Sequence, residues 1–234
     1  MPTAPTPPGP IPEVHALVTA LTAALTPAIP HTLTAASKGA DVYEGYLMTR
    51  VLLAAMDVGL SIDLEDTDGK PATTLQLRTS PGSIHAGPYT HAVLSRADGT
   101  EELEVHTGVK VQGTSSAVHE CDVLVIKRAE GEKCRRDNRH PKSSNVVWAV
   151  EAKFYVTNSV GIDKAREFFG LSLEMSGNAG RRVTLAVTRS TPMVGRMFKH
   201  HTVTGHFYSG VYPGQPMELD FDAQIRQVFI RHLA

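Results

Sequence analysis

The hydrophobic and polar positions of this chain follow a helical period in some stretches and a strand period in others, which predicts a mixed α/β (α+β) protein. The helical period predicts five helices, over 13–27, 40–58, 160–176, 192–200 and 218–233. Shorter apolar runs predict strands over 73–78, 90–95, 102–112, 117–126, 146–156, 182–188 and 205–212. The strand–helix–strand order in the second half predicts a right-handed crossover within a mixed central β-sheet flanked by helices.

Two segments lack an apolar period. Residues 1–12 are rich in proline and are predicted to form a flexible or extended lead-in. Residues 127–145 are polar and basic and are predicted to form a mobile loop. The lead-in and the first helix are assigned to an N-terminal segment of residues 1–37, and the main domain to residues 38–234.

Charged residues lie inside two of the apolar runs. Asp122 lies in the strand predicted over 117–126, and Glu151 and Lys153 lie in the strand predicted over 146–156. A buried charge is costly unless it is paired or bound to a metal. Because residues two apart on a strand share a face, Glu151 and Lys153 project together, and Asp122 approaches Glu151 if the strands pair. The pattern indicates a divalent-cation site, since two carboxylates leave room for water and phosphate oxygens around Mg²⁺.

Strand alternation also orients the residues around Asp122. It predicts that Glu120 and Asp122 share one face, while Cys121 and Val123 share the other. A simpler interpretation stays open, in which the charged residues lie on the solvent face of a half-buried sheet and form an ordinary salt bridge.

A third acidic residue lies on the helix predicted over 40–58. Leu47, Val51 and Ala55 form the inward stripe of that helix. Glu44 lies three residues before Leu47, so its carboxylate is predicted to point toward the core or its rim.

These acidic positions and the lysine resemble the motifs of the PD-(D/E)XK nuclease superfamily, which has the restriction-endonuclease-like fold. Glu151-Ala-Lys153 is similar to the tripeptide, Asp122 in His-Glu-Cys-Asp-Val-Leu-Val-Ile to the motif aspartate, and Glu44 to the acidic residue of the first core helix. The resemblance covers about residues 38–190. No proline precedes Asp122, and the 127–145 segment lengthens the spacing to Glu151. The implied core is a helix, a three-stranded meander, a helix and a strand.

The resemblance implies Mg²⁺-dependent hydrolysis of phosphodiester bonds, usually of DNA, in a restriction or antiviral-defence nuclease. Asp122, Glu151 and Glu44 are the implied metal ligands, and Mn²⁺ is able to substitute for Mg²⁺. Lys153 would serve the attacking water and completes the catalytic set. A homodimer or larger symmetric assembly is expected, because cutting both strands usually needs two active sites. Two alternatives are a catalytically silent DNA-binding or sensor subunit with the same fold, and an RNA-directed nuclease.

Basic residues in the predicted loop and on the following helix are candidates for phosphate contacts. The residues assigned to nucleic-acid binding are Arg135, Arg136, Arg139, Lys142 and Lys164. The alternative for the loop residues is a solvated segment, since Glu130, Glu132 and Asp137 dilute its positive charge.

Composition narrows the remaining possibilities. Hydrophobic residues make up 41% of the chain and the formal net charge is −1, so a packed core is expected and nucleic-acid binding would depend on a local patch. Two cysteines give no zinc motif or disulfide framework, and no apolar run approaches the roughly 20 residues of a membrane helix. His200, His201 and His206 do not keep one helical spacing, so they predict no zinc site. A cytoplasmic, reduced protein without membrane contact is expected.

Overall fold

One mixed sheet of seven strands runs through the computed structural model, which describes residues 13–25, 29–100, 102–175, 183–201 and 206–234. Its strands are β1 (Ser61–Asp66), β2 (Thr90–Ser95), β3 (Glu102–Gln112), β4 (Val118–Lys127), β5 (Val146–Lys153), β6 (Val183–Val187) and β7 (Phe207–Ser209). The helices of these ranges are α1 (Val14–Leu25), α2 (Gly39–Asp57), α3 (Arg128–Asp137), α4 (Ile162–Glu174), α5 (Pro192–His200) and α6 (Pro216–Leu233).

The strands lie in the sheet in the order in which they occur along the chain. Strands β1 to β5 pair antiparallel, whereas β5 with β6 and β6 with β7 pair parallel. Helices α4 and α5 make the two parallel connections, as parallel pairing requires. The prediction of a mixed α/β protein with a helix-flanked central sheet is confirmed.

Two separate hydrophobic clusters cover the two faces of the sheet. The first cluster takes buried residues from α1, α2 and α6, including Leu21, Leu47 and Phe221. The second takes buried residues from α4 and α5, including Phe168 and Phe198. The sheet is therefore covered on both faces, and the leucines of α1 pack in the same cluster as α2.

The predicted strand over 73–78 is wrong, and a strand at 61–66 was missed. Leu75 and Leu77 are buried as the alternation requires, but the segment makes one isolated bridge, from Leu75 to His31. The Gln76 backbone N–H donates to the Thr90 hydroxyl at 2.8 Å, and the Thr90 N–H donates to the Gln76 carbonyl at 2.9 Å, so the contact with β2 does not continue as a strand ladder. The real edge strand, β1, is acidic and has few apolar residues, so its pattern is weak.

The predicted loop over 127–145 is also wrong, because it contains helix α3 and a short 3₁₀ turn at Ser143–Asn145. Asn138 ends α3 with a left-handed backbone, at φ 50°. Only a narrow part of α3 is buried, around Gly131 and Cys134. Ion pairs hold the rest in place, so the helix has no apolar stripe for a sequence pattern to reveal.

Helical spacing predicts that Ile162, Ala165, Phe169 and Leu173 share one face of α4. The buried face is different, because Ala165 and Phe168 are buried whereas Leu173 is 79% exposed. The proline-rich segment 1–12 and Arg182 lie outside the described residues. Within the described ranges, no helix has both the length and the apolar character needed to cross a bilayer.

Gly45 lets α1 and its neighbours approach α2 closely, next to the candidate site residue Glu44. A Cβ at Gly45 would lie 2.5 Å from Leu33 Cδ1 and 2.7 Å from Leu77 Cδ1. We expect Gly45→Ala to lower the free energy of unfolding by about 1–2 kcal/mol, since overpacking outweighs the gain in helix propensity.

The matched control is Gly170→Ala in α4, where a Cβ would meet nothing within 4 Å. It should raise stability by about 0.5–1 kcal/mol through helix propensity alone. Urea denaturation of both variants measures the difference, and equal changes in the same direction would contradict the packing explanation.

Candidate active site

The site forms where β4 and β5 separate. Their paired register runs from Ile126 to Val123 on β4 and ends at Val123 opposite Val150. Beyond that pair, Asp122 Oδ2 accepts a hydrogen bond of 2.6 Å from the Ala152 backbone N–H. The carboxylate thus replaces a backbone acceptor, and this fixes it beside Glu151.

The alternation of side chains is interrupted on β3, next to Asp122. Thr107 pairs with Val123, and Val109 pairs with Cys121. Gly108, between them, has a left-handed backbone with φ +58°. Val123 consequently packs in the first cluster and Cys121 in the second, so the prediction that they share a face is wrong.

Lys153 joins the two carboxylates predicted to meet. Its Nζ lies 2.5 Å from Glu151 Oε1 and 3.6 Å from Asp122 Oδ2. The same ammonium donates to the Ala152 carbonyl at 3.0 Å. The structure therefore brings Asp122, Glu151 and Lys153 together, with the positive charge facing both acids.

Helix α2 presents Glu44 to this group because its first turn is packed against the residue that follows Lys153. A Cβ at Gly39 would lie 2.5 Å from Phe154 Cε1, and the Tyr43 and Phe154 rings lie 5.8 Å apart. The Glu44 carboxyl is close enough to Asp122 for that charge to affect its pKa. The third predicted acid thus belongs to the same site.

The carboxyl groups repel one another in a poorly hydrated space. Burial, and then the Asp122 charge, raise the pKa of Glu44 to about 9. Burial and the Asp122 charge likewise raise the pKa of Glu151 to about 7, although Lys153 opposes the rise. Burial also raises the pKa of Asp122, and the pKa of Glu120 is raised by burial and by Asp122. All four carboxyl groups lie within electrostatic reach of the Lys153 ammonium, and only Glu120 is also affected by Lys110, so the site favours a further cation.

The donor set fits Mg²⁺ in kind. Hard carboxylate oxygens on two strands and a helix are the ligands that this ion prefers. The Lys153 ammonium lies between Asp122 and Glu151, and the three acids do not form a compact ligand triad. Asp122 and Glu151 would hold the ion, with Glu44 beside them.

Two of the basic residues predicted to bind nucleic acid are engaged with buried acids. Arg135 makes two hydrogen bonds to Glu104, which is fully buried. Arg139 pairs with Glu130, itself buried. Both guanidiniums therefore hold α3 in place.

The other three predicted phosphate contacts are more accessible. Arg136 is 69% exposed and pairs with its neighbour Asp137, and Lys142 is exposed. The Lys164 side chain is 43% exposed and pairs with Glu167. A hydrogen bond from Lys164 to Glu167 raises the lysine pKa and the Lys153 charge opposes that rise, so Lys164 lies within electrostatic reach of the site.

Strands β1, β2 and β3 carry a second group of polar side chains, which the sequence did not reveal. It consists of four side chains, here named the His–Glu cluster: Glu65, His91, Glu104 and His106. Burial lowers the pKa of His91 to about 3, which leaves its ring neutral. Burial would raise the pKa of Glu104, but hydrogen bonds from His106 and Arg135 outweigh it and lower the value to about 2. The signal in the sequence was polar residues at alternate positions of the apolar strand 102–112.

Comparisons with protein-family models, with curated proteins and with solved structures each found no match to this chain. The chemistry of the site itself is therefore the basis for proposing a function.

The raised pKa of Glu44 predicts how stability depends on pH in metal-free buffer. Below about pH 4.5 the group is protonated in both the folded and the unfolded chain. Between that value and the folded pKa of about 9, only the folded chain keeps the proton, so its stabilising contribution falls steadily as the pH rises, is mostly lost by pH 8 and is gone above pH 9. Glu44→Gln mimics the protonated form and removes this loss.

We expect Glu44→Gln to raise the melting temperature at pH 8 by roughly 5 °C, with each kcal/mol giving about 2–4 °C in a chain of this size. At pH 4 the two proteins should melt together. Glu167→Gln, whose side chain is 61% exposed, is the matched control and should change little at either pH. A destabilised Glu44→Gln protein at pH 8 would show that the acid is charged and satisfied.

Proposed function

We propose that this chain is a Mg²⁺-dependent nuclease of restriction-endonuclease-like fold that hydrolyses phosphodiester bonds of DNA. The observation that carries the proposal is the group of carboxyls around Lys153, where Asp122 and Glu151 face one ammonium and the Asp122 charge helps to raise the pKa of Glu151. An ordinary surface salt bridge would not explain this, because Asp122 is buried and hydrogen-bonded into the β4–β5 junction.

The order of elements supports the same assignment. Helix α2, the antiparallel strands β3, β4 and β5, helix α4 and strand β6 occur in the order of the core implied by the resemblance, with β1 and β2 inserted after α2 and α3 inserted between β4 and β5. Asp122 lies on the second of the three antiparallel strands and Glu151 on the third. Glu44 comes from the helix that precedes them.

Each side chain has a role that follows from its position. Asp122, Glu151 and Glu44 would hold the divalent cation, which when bound lowers the pKa of water and stabilises charge on the phosphoryl group. Glu44 has to give up its proton to act as a ligand, so cation binding is expected to release protons at neutral pH.

Lys153 is proposed to act through its ammonium, which lies between Asp122 and Glu151. Its ammonium is oriented by the Ala152 carbonyl and by Glu151. Once a cation neutralises the acids, the same ammonium can orient the attacking water and balance negative charge that develops on the phosphate. Lys153 is therefore a catalytic residue of the proposed reaction, in which its positive charge stabilises the negative charge that develops on the phosphate.

Contacts to DNA are proposed for the accessible basic residues. Lys164 lies within electrostatic reach of Lys153, and Lys142 and Arg136 are exposed. Replacing any one of these three residues by alanine should weaken binding uniformly across sequences and reduce its salt dependence. Cleavage of both strands is proposed to require a homodimer or larger assembly.

The experiment is incubation of supercoiled plasmid with the protein in Mg²⁺ or in EDTA, comparing wild type with Lys153→Ala. We expect cleavage in Mg²⁺, none in EDTA, and a loss of roughly a hundredfold or more in Lys153→Ala. Lys70→Ala is the matched control, since Lys70 is 72% exposed and pairs with Asp68 on a turn.

Three results would overturn parts of the proposal. Equal cleavage by wild type and Lys153→Ala would remove the role of Lys153. Cleavage of single-stranded RNA but not of any DNA, in a parallel reaction, would assign the chain to RNA. Binding of DNA without metal-dependent cleavage would favour the silent nuclease-fold subunit.

A further inference from the structure

The His–Glu cluster forms one row across three adjacent strands. Glu65 on β1 pairs in register with His91 on β2. Continuing the β2–β3 register from Ala92 and Val105 places His91 opposite His106, and the two rings stack with centroids 4.6 Å apart. Glu104 shares the face of His106 because it lies two residues before it. Four potential ligands thus come from three strands.

His106 and Glu104 are hydrogen-bonded, with 2.9 Å between Nε2 and Oε2, whereas the separations from His91 to the two carboxylates are too long for hydrogen bonds. His91 Nε2 lies 3.7 Å from Glu65 Oε2 and 3.8 Å from Glu104 Oε1. Neither separation is short enough for a hydrogen bond. A tetrahedral Zn²⁺, with bonds of about 2.0–2.2 Å, sets neighbouring ligand atoms about 3.4 Å apart. In the described part of the chain, His91, Glu104 and His106 form the one group whose three candidate ligand atoms lie within 4.8 Å of one another, and Glu65 adjoins it through His91.

Two members of the cluster aim polar atoms into it without a hydrogen bond. Both ring nitrogens of His91 lack a hydrogen-bond partner among the described residues, although the side chain is 0% exposed. Glu65 Oε2 also has none, while its other oxygen accepts from Arg128 at 2.8 Å. Buried polar groups are nearly always satisfied. A cation between them would accept lone pairs from both His91 Nε2 and Glu65 Oε2, and would satisfy both atoms.

Neighbouring side chains hold the candidate ligands in place. Arg128 holds the outer oxygen of Glu65, and Arg135 holds Glu104 through both of its oxygens. His106 Nδ1 lies 3.4 Å from the Tyr89 hydroxyl, which itself donates to the Ile84 carbonyl at 2.8 Å. A metal held by His106 Nε2 would leave the ring proton on Nδ1, where the Tyr89 oxygen could accept it. Metal-bound histidines are usually fixed in this way.

We propose that the His–Glu cluster is a four-ligand site for Zn²⁺ that ties β1, β2 and β3 together. Two imidazoles and two carboxylates favour zinc over Mg²⁺, whose preferred ligands are oxygens. Arg128 and Arg135 already pair with the two carboxylates, so the affinity for the ion would come from the coordinate bonds and not from unbalanced negative charge. This site is structural and separate from the carboxyls around Lys153, so the zinc proposal does not depend on the nuclease assignment.

The test is a Zn²⁺ titration of untagged, EDTA-treated protein, with metal content measured after gel filtration and thermal melting measured alongside. We expect one bound Zn²⁺ and a rise in melting temperature of about 5–10 °C at a free concentration one hundred times Kd. A Co²⁺ titration should give the intense visible absorption of a tetrahedral complex.

The decisive variant is His91→Phe, which keeps a flat ring to stack on His106 but has no nitrogen. It should lose the bound Zn²⁺ and the rise in melting temperature, and it should melt above metal-free wild type because two unpartnered nitrogens are gone. Glu65→Gln, at the rim of the cluster, should weaken Zn²⁺ binding by roughly tenfold or more if His91→Phe fails to fold.

Two controls separate this site from others. His119→Ala, whose side chain is 27% exposed, should bind Zn²⁺ like wild type. Glu151→Gln should also keep the bound ion and the rise in melting temperature. The proposal is overturned if wild type binds no Zn²⁺ in these conditions, or if His91→Phe or Glu65→Gln binds it as tightly as wild type does.

Discussion

Glu151→Gln is expected to lower Mg²⁺-dependent plasmid cleavage by roughly a hundredfold or more and, at the same time, to stabilise the metal-free protein at pH 8. Glutamine keeps the shape of the side chain but removes a charge that the cation needs. The gain in stability has the same origin as the loss of activity, because burial and Asp122 raise the pKa of Glu151 to about 7.

The sign of the stability change follows from proton linkage. Glu151 is protonated in both states below about pH 4.5, and its stabilising proton is lost from the folded chain as the pH rises through 7. The variant should therefore melt with wild type at pH 4 and above it at pH 8. Cleavage rates and melting curves in EDTA measure the two effects, with the exposed Glu132→Gln as the control. A variant that cleaves normally, or that melts lower at pH 8, would contradict this view of the site.

Arg135→Met is expected to cost about 3–5 kcal/mol of folding free energy, because it leaves a buried carboxylate without its partner. Arg135 Nη1 and Nη2 lie 2.9 Å and 2.5 Å from the oxygens of Glu104, which is fully buried. Hydrogen bonds from His106 and Arg135 hold the pKa of Glu104 at about 2 against the effect of burial, so the carboxylate is charged at neutral pH. Chemical denaturation in EDTA measures the loss.

Two further variants show whether the ion pair is the cause. Adding Glu104→Gln to Arg135→Met should recover part of the stability, since the uncompensated charge is removed. Arg136→Met, at a side chain that is 69% exposed, should change stability by less than about 0.5 kcal/mol. If Arg135→Met weakened DNA binding but left stability unchanged, the residue would be a phosphate contact, as the sequence suggested, and not a support for α3.

Elements with strong periodicity could be predicted closely from the sequence. Strands β2 and β3 begin and end at the predicted residues, 90–95 and 102–112. Helix α2 ends as expected before Gly59, whose φ of +85° permits the turn. The approach of Glu151 and Lys153 was also predictable, because alternation within one regular strand is a local property.

Features that depend on distant partners were not predictable in this way. Helix α3 is held by ion pairs to residues far away in sequence, as Arg135 to Glu104 illustrates. The separation of Cys121 from Val123 depends on the left-handed backbone of Gly108 on a neighbouring strand. The His–Glu cluster draws on β1, a strand with too weak a pattern to be found. In each case the information lies in tertiary pairing and not in local periodicity.

The most direct measurement of the central claim is a crystal structure after soaking with Mn²⁺, using anomalous scattering to locate the ion. We expect an ion in contact with both Asp122 and Glu151, with the Lys153 ammonium displaced from its position between them. No ion at these carboxylates at saturating Mn²⁺, with Lys153 still paired to both, would contradict it, whatever occupies the His–Glu cluster.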